Sequence, residues 1–418
     1  MSRTVHTAAR IITCDPSRRG ALGVVENAAL ATEHGRIAWI GPRDEAPSGG
    51  RLVDHGDHVL TPGLVDAHTH ACWTGSRHAE YAVRMAGGDY EAIAKAGGGI
   101  LSSYRSVAAA THDVLREELA ARLRRMAMLG VTTVEVKSGY GLEPDGERKQ
   151  LEVIADLRRD ASLPRIVPTF LALHSLPPSA RDSEAARRAF VDHVARVLVP
   201  EVAARELALF VDAYIDREAF QLDEARAVFE AARDVGLGIR AHVGQFADIG
   251  GAELAAELGA ASVDHMEHVN EAALCALRAS GIRPILLPVA SFTLAQTPPP
   301  VAAMRDAGLE LVVASDANPG TAPTESLPLA LAFAVRSYGL TPDEAILGAT
   351  RHAAETLRHA HARLTTGAQG MLAVGAPADF VVWDFPHEHC IVQPWGVART
   401  LLVCRDGEPI ASAVSRAP

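Results

Sequence analysis

The sequence predicts a (β/α)8 TIM-type barrel with a small composite β-sandwich formed by both chain ends, and three observations support it. Eight apolar runs alternate with amphipathic stretches through the middle of the chain, the pattern of parallel strands buried on both faces. Residues 1–62 and 366–418 share another style, short β-type runs punctuated by glycine, with little helical period. Residues with metal-binding chemistry sit at the far ends of the apolar runs, the face on which such barrels build active sites. A length of 418 residues accommodates a barrel and a second module.

In chain order, residues 1–62 carry ALGVVENAALATEHGRIAWIGP and HVLTPG, and residues 366–418 carry QGMLAVGAPADFVVWD and GVARTLLVCRDGEPI. These two ends are expected to fold together, with residues 63–365 inserted between them as the barrel. Barrel strands are predicted at 64–70, 131–138, 165–174, 209–216, 238–243, 262–268, 283–290 and 310–316. Between them lie helices such as the one in 113–130, where Leu115, Leu119, Leu123 and Met126 fall at helical spacing and Gly130 ends the turn. A doubly wound open sheet is the alternative, but no G-x-G-x-x-G follows an early strand.

An apolar fraction of 48% and a charged fraction of 22% are ordinary for a globular protein. The net charge of −11, with no Lys/Arg-rich run, argues against a nucleic-acid partner. No run approaches the roughly 18 apolar residues of a membrane span, and the N-terminus MSRTVHTAARIITCD has no signal-type apolar core. A cytoplasmic location without membrane association is expected. Five cysteines, odd in number and without C-x-x-C, fit a reducing compartment. Cys72, two residues past His70, is expected to be buried packing.

The chemistry begins at LVDAHTH, the first barrel strand. Alternation along a strand puts His68 and His70 on one face, so both imidazoles can reach one ion. An H-x-H pair alone is a weak signal, and a lone strand-end histidine is commonly just a satisfied polar residue. The weight comes from His242 after GIRA, His265 after SVD and Asp316 after LELVVAS, each ending its own apolar run. His68, His70, His242 and Asp316 are the expected ligands of one divalent ion, zinc or iron(II), with a position open for water. Asp316 doubles as the base that takes the proton of that water. His265 is the expected hydrogen-bond donor to the developing oxyanion, with Glu267 and His268 as competing neighbours.

These residues, in TPGLVDAHTH, GIRAHV and SDANPG, resemble the amidohydrolase superfamily. Within it the chain is similar to the imidazolonepropionase family, through HTHACWTGSR (68–77), AGGGILSS (96–103), VTTVEVKSGYGLE (131–143) and TFLALHSLPP (169–178). The likeness continues through GGAELAAELGAASVDHMEH (250–268) and SDANPGTAPTES (315–326), and so covers nearly the whole chain. The resemblance implies a metal-dependent barrel with a composite sandwich, opening a five-membered lactam that carries a propionate and producing N-formiminoglutamate. It implies that Arg77 grips the substrate carboxylate, that Tyr90, Tyr140 and His174 contact the substrate, and that Asn318 and Gly320 place polar groups at the propionate. A small anionic substrate suits this picture, since an acidic protein requires a local guanidinium to hold a carboxylate. Some relatives of the superfamily carboxylate a lysine as a ligand; Lys137 is expected instead to be structural behind a single-ion site. Relatives are often dimers, so a homodimer is one expected arrangement.

The chain also departs from the pattern. After the strand-5 histidine the family usually has an acidic residue two positions on, followed by Glu or Gln; here the order is His242-Val243-Gly244-Gln245. Gln245, the third catalytic candidate beside His265 and Asp316, cannot shuttle a proton but can both donate to and accept from a ring amide. The segment PVASFTLAQTPPP (288–300) lacks the Arg-Glu-Thr pattern of many relatives, and HACWTG replaces a more apolar run. These changes fall on the ring side, whereas the carboxylate anchor is intact. A second expectation therefore stands beside the first: a paralogue acting on a 2-thioxo or 2-oxo imidazolidinone propionate of ergothioneine breakdown. A binding module that kept only the fold is the third reading, which the complete ligand set disfavours.

Overall fold

The computed structural model describes residues 3–87, 98–358, 369–393 and 395–412. From the N-terminal segment come β1 (Thr4–Ile12), β2 (Val24–Glu33), β3 (Arg36–Pro42), β4 (Arg51–Asp54) and β5 (Val59–Pro62). The C-terminal segment adds β14 (Phe380–Trp383), β15 (Thr400–Arg405) and β16 (Glu408–Ser412). Together they make one mixed sheet in the order β16-β15-β14-β5-β1-β2-β3, with β4 beside β1. The seam between the chain ends is the antiparallel pair β14 and β5, Phe380 opposite Pro62 and Trp383 opposite Val59.

Strand alternation divides the side chains of this seam between two cores. Leu60, Phe380 and Val382 pack with Leu30 and Ile37 in a core belonging to the sheet. Val59, Val381 and Trp383 face the other way and join the large barrel core. Ile37 accepts from Gly375 N–H at 2.8 Å and donates to the Ala376 carbonyl at 2.9 Å, which folds β3 over the sheet's own core. The ends thus form a composite body fastened to the barrel by an apolar face.

The barrel strands are β6 (Leu64–Asp66), β7 (Val131–Lys137), β8 (Arg165–Leu173), β9 (Phe210–Ile215), β10 (Gly238–Val243), β11 (Ser262–His265), β12 (Arg283–Leu286) and β13 (Val312–Val313). Each is parallel to the next in chain order. The first and last are joined beyond their regular ends, where Asp316 N–H donates to the His68 carbonyl and His70 N–H to the Ala317 carbonyl, both at 3.1 Å. Asp66 reinforces this closure by accepting from the Ser315 backbone at 3.0 Å and its hydroxyl at 2.6 Å. The predicted helix in 113–130 spans His112–Met128, capped by the Thr111 side chain, with Leu115, Leu119, Leu123 and Met126 buried.

All eight predicted strands are present, several shorter than expected. The strand expected over 283–290 stops at Leu286 because Pro288, with no N–H and a preset φ, opens the helix Pro288–Leu294. The strand expected over 262–268 ends at His265, where His265 and Met266 take φ of +83° and +71°. Asp316 has φ of +54°. Positive φ is costly for such residues and concentrates at functional sites. No helix of the described residues is long and apolar enough to cross a membrane.

Candidate metal centre

His68 and His70 follow β6, His242 lies on β10 and Asp316 follows β13. Nε2 of His70 is 3.3 Å from Nε2 of both His68 and His242. Oδ1 of Asp316 is 3.4 Å from Nε2 of His68 and of His70. Donors that share an ion tetrahedrally at about 2.0–2.1 Å are separated by about 3.3–3.4 Å, so these four pairs have the spacing of donors to one divalent metal, and His68, His70 and His242 stand close enough together to hold an ion. All four residues are buried.

On the far side of two of these rings stands a carboxylate. Nδ1 of His68 is 2.7 Å from Asp264 Oδ2, and Nδ1 of His242 is 3.1 Å from Asp212 Oδ1. A carboxylate behind Nδ1 takes its N–H and leaves the Nε2 lone pair for metal. Burial drives His68 and His70 well below the ordinary imidazole range, helped by Lys137 at His68 and by His174 at His70. Neutral imidazoles with lone pairs aimed at one point repel each other unless a cation lies between them. The donor set therefore fits a divalent metal.

Around the ligands stand the other candidates. His265 ends β11 with its ring centroid 6.1 Å from that of His68, and its Nδ1 is 3.6 Å from Glu267 Oε2. Burial works against its charged form, but the nearby Glu267 carboxylate, with Asp316, holds its pKa above the ordinary value. Burial pushes the Asp316 carboxyl up to about 7, partly offset by His265 and Asn318. His174 stacks on His70, centroids 5.2 Å apart and planes at 24°. Its Nδ1 donates to the Gly139 carbonyl at 2.7 Å, leaving Nε2 as an acceptor. The Tyr140 ring lies 5.4 Å from that of His174.

Arg77 is already half engaged. Its Nε and Nη2 grip Glu80 at 2.7 and 2.6 Å, leaving Nη1 without a partner among the described residues. A Cβ at position 320 would fall 2.2 Å from that Nη1, so glycine is required beside the guanidinium. The polar groups of Asn318 and Gly320 are used within the protein. Asn318 Nδ2 donates to Asp316 Oδ2 at 3.0 Å, its Oδ1 accepts Gly320 N–H at 2.8 Å, and the Gly320 carbonyl accepts from Arg84 at 3.1 Å. These two residues thus hold Asp316 and shape the space around Arg77. Tyr90 lies outside the described residues.

Gly244 leaves no vacancy for a carboxylate, because it has φ of +64° and a Cβ there would lie 2.1 Å from the His268 carbonyl oxygen. Its own carbonyl accepts His268 N–H at 2.7 Å. The departure at Gly244 thus concerns the backbone, whereas Gln245 is buried and its backbone carbonyl accepts from the Gln296 side chain at 2.8 Å. Cys72 belongs to the main apolar core, and burial pushes its thiol up to about 12. The residues that orient the ligands, Asp212 and Asp264, were not singled out from sequence. Their signal was present, since each is a carboxylate inside a short apolar strand run, a placement that is rare without a partner.

Residues 59–407 match the model of the amidohydrolase family. An imidazolonepropionase from Polaromonas sp. is 42% identical over 397 residues, covering 94% of this chain and 91% of that protein. An imidazolonepropionase from Shewanella amazonensis is 40% identical over 406 residues, covering 96% and 97%. Among solved structures, the ochratoxinase of A. niger superposes with a TM-score of 0.70 at 21% identity, covering 98% of this chain and 96% of that one. An adenosine deaminase from Xanthomonas campestris with bound zinc gives 0.69 at 16% identity, covering 97% and 92%. These two structures share the fold. The sequence matches go further: the chain belongs to the imidazolonepropionase family of the amidohydrolases.

Proposed function

We propose that this chain opens the ring of 4-imidazolone-5-propionate to N-formimino-L-glutamate, a step of histidine degradation in the cytoplasm. The observation that carries the reading is the convergence of three imidazoles and Asp316, in a chain 42% identical to an imidazolonepropionase. His68, His70, His242 and Asp316 would hold one ion, zinc or iron(II). The carboxylate cluster behind them already contains the Lys137 ammonium, 2.7 Å from Asp212, which favours one ion over two. A divalent ion there lowers the pKa of a bound water to about 7 and polarises a carbonyl oxygen.

The protein's own groups divide the remaining work. Asp316, with its carboxyl near 7, accepts the proton of the attacking water and returns it to the ring nitrogen as the C–N bond breaks. His265 donates to the oxygen on which charge develops. Nε2 of His174 and the hydroxyl of Tyr140 face the ring, and Gln245 adds an amide. Nη1 of Arg77 takes the propionate, with Tyr90 beside it. Asn318 and Gly320 keep Asp316 and Arg77 in place.

The amide of Gln245, both donor and acceptor, also supports the second reading, a ring carrying sulfur or oxygen at C2. Water attack at C2 of the thioxo ring would expel sulfide. Incubating the metal-loaded enzyme with each substrate separates the readings. Formation of formiminoglutamate is expected; sulfide release with no turnover of the imidazolone would overturn the first.

A further inference from the structure

We propose that Lys137 is the positioning residue of the metal centre: one buried ammonium gathers three carboxylates, each of which orients a different part of the ligand set. The proposal rests on the reading of His68, His70, His242 and Asp316 as metal ligands. Lys137 Nζ donates to Asp212 Oδ2 at 2.7 Å and to Glu135 Oε1 at 2.9 Å, and lies 3.8 Å from Asp264 Oδ2. Each carboxylate then reaches outward. Asp212 uses its other oxygen on His242 Nδ1 at 3.1 Å, and Asp264 meets His68 Nδ1 at 2.7 Å. Glu135 Oε2 accepts the backbone N–H of Thr69, the residue between two ligands, at 3.1 Å.

Lysine also holds that residue directly, since Lys137 N–H donates to the Thr69 carbonyl at 3.0 Å. Lys137, Glu135, Asp212 and Asp264 are each fully buried. Three carboxylates in such a dry layer repel strongly and turn apart unless a cation stands among them. Arg240 shares the approach to Asp264 with Lys137 but does not take over its hydrogen bonds to Asp212 and Glu135. Its guanidinium is committed to the Ala67 and Thr356 carbonyls at 2.7 and 3.1 Å, and approaches Glu135 and Asp264 only to 3.9 and 3.8 Å. Turning the carboxylates releases both imidazoles, so the loss should appear in metal binding before it appears in chemistry.

The test is zinc affinity by chelator competition on the full chain, with folding followed by circular dichroism. Lys137→Met is expected to weaken zinc by about 10–100-fold, the usual range when a group behind a metal ligand is lost. It should also change the visible spectrum of the cobalt-substituted protein. Lys137→Met combined with Asp212→Asn should cost less than the product of the two single effects, because both act through His242. If Lys137→Met does not fold, Glu135→Gln/Lys137→Met removes a buried ion pair as a unit, and zinc at least tenfold weaker is expected there too. A folded variant with zinc affinity within threefold of the parent and an unchanged cobalt spectrum would overturn the proposal. Should His68→Ala and His242→Ala leave zinc affinity intact, the ligand set itself would fail instead, so the two failures are distinct.

Discussion

In the barrel mouth Nε2 of His70 lies 3.3 Å from Nε2 of His68; in the end sheet Nδ1 of His6 lies 3.0 Å from Nε2 of His55. The sheet pair satisfies itself, one nitrogen donating to the other, with rings stacked 5.3 Å apart and 1° from parallel. At the mouth the proton of His68 is drawn to Asp264 and that of His242 to Asp212, so like nitrogens face one another across a common point. Proximity of imidazoles is therefore no guide to metal binding. The group behind each ring decides.

The sharpest way to break this contrast is at Asp316, which the sheet pair has no counterpart for. Asp316→Asn should lower kcat by about 10²–10⁴-fold, the range for a lost general base, with the fold retained by circular dichroism. Activity within tenfold of the parent would remove Asp316 from its role. Next in size is Asp264→Asn, which takes the acceptor from behind His68. Zinc affinity should fall about 10–100-fold, whereas His55→Phe should leave it unchanged. Equal effects of these two substitutions would erase the distinction between the clusters.

How much of this was legible in the sequence follows from which features are local. The eight strands were visible because parallel strands buried on both faces leave apolar runs, and the four candidate ligands because each ends such a run. The H-x-H spacing itself occurs three times, at 68–70, 359–361 and 387–389; of the two pairs among the described residues, the first ends a barrel strand. His387 and His389 instead flank Glu388, whose carboxylate is held by Arg10 at 2.8 and 2.9 Å. The orienting carboxylates left a signal in their apolar runs, but which imidazole each one serves depends on non-local pairing and was out of reach. Asp264 is the register partner of His242 yet hydrogen-bonds His68 across the barrel. The reason for Gly244 was hidden in the same way. A sequence shows a missing carboxylate but not the His268 carbonyl that occupies its place.

A smaller contrast of the same kind separates two arginines. Arg10 in the sheet spends its fork on Glu388 and its Nη1 on Glu26 at 2.7 Å. Arg77 spends its fork on Glu80, which leaves Nη1 for the proposed contact with a substrate carboxylate. Arg77→Ala should therefore raise KM by about 10–150-fold, equivalent to ~1.5–3 kcal/mol for a lost charge-assisted pair. Arg10→Ala should leave KM unchanged. An unaltered KM in the first variant would move the anchor elsewhere.

The smallest effect distinguishes the regions by the sign of their response to acid. Burial, with His55 and Arg51, lowers the His6 pKa to about 3, below the roughly 6.5 of an unfolded histidine. Between those values the unfolded chain binds the extra proton, so His6 contributes stability above about pH 6.5 that is lost as pH falls toward 3. Buried barrel carboxyls act oppositely. Burial pushes Asp66 and Glu147 up to about 7, so the native state binds more protons between about 4 and 7, and their contribution grows on acidification. The net slope of Tm with pH mixes both signs, but the difference between the parent and His6→Phe isolates the sheet. The parent's Tm should fall more steeply than the variant's from pH 7 to 5, at matched metal content. Parallel slopes would mean that the sheet pair titrates like solvent-exposed histidines. The stacked contact would then be as protonatable as any surface imidazole, and the contrast with the barrel mouth would lose its electrostatic half.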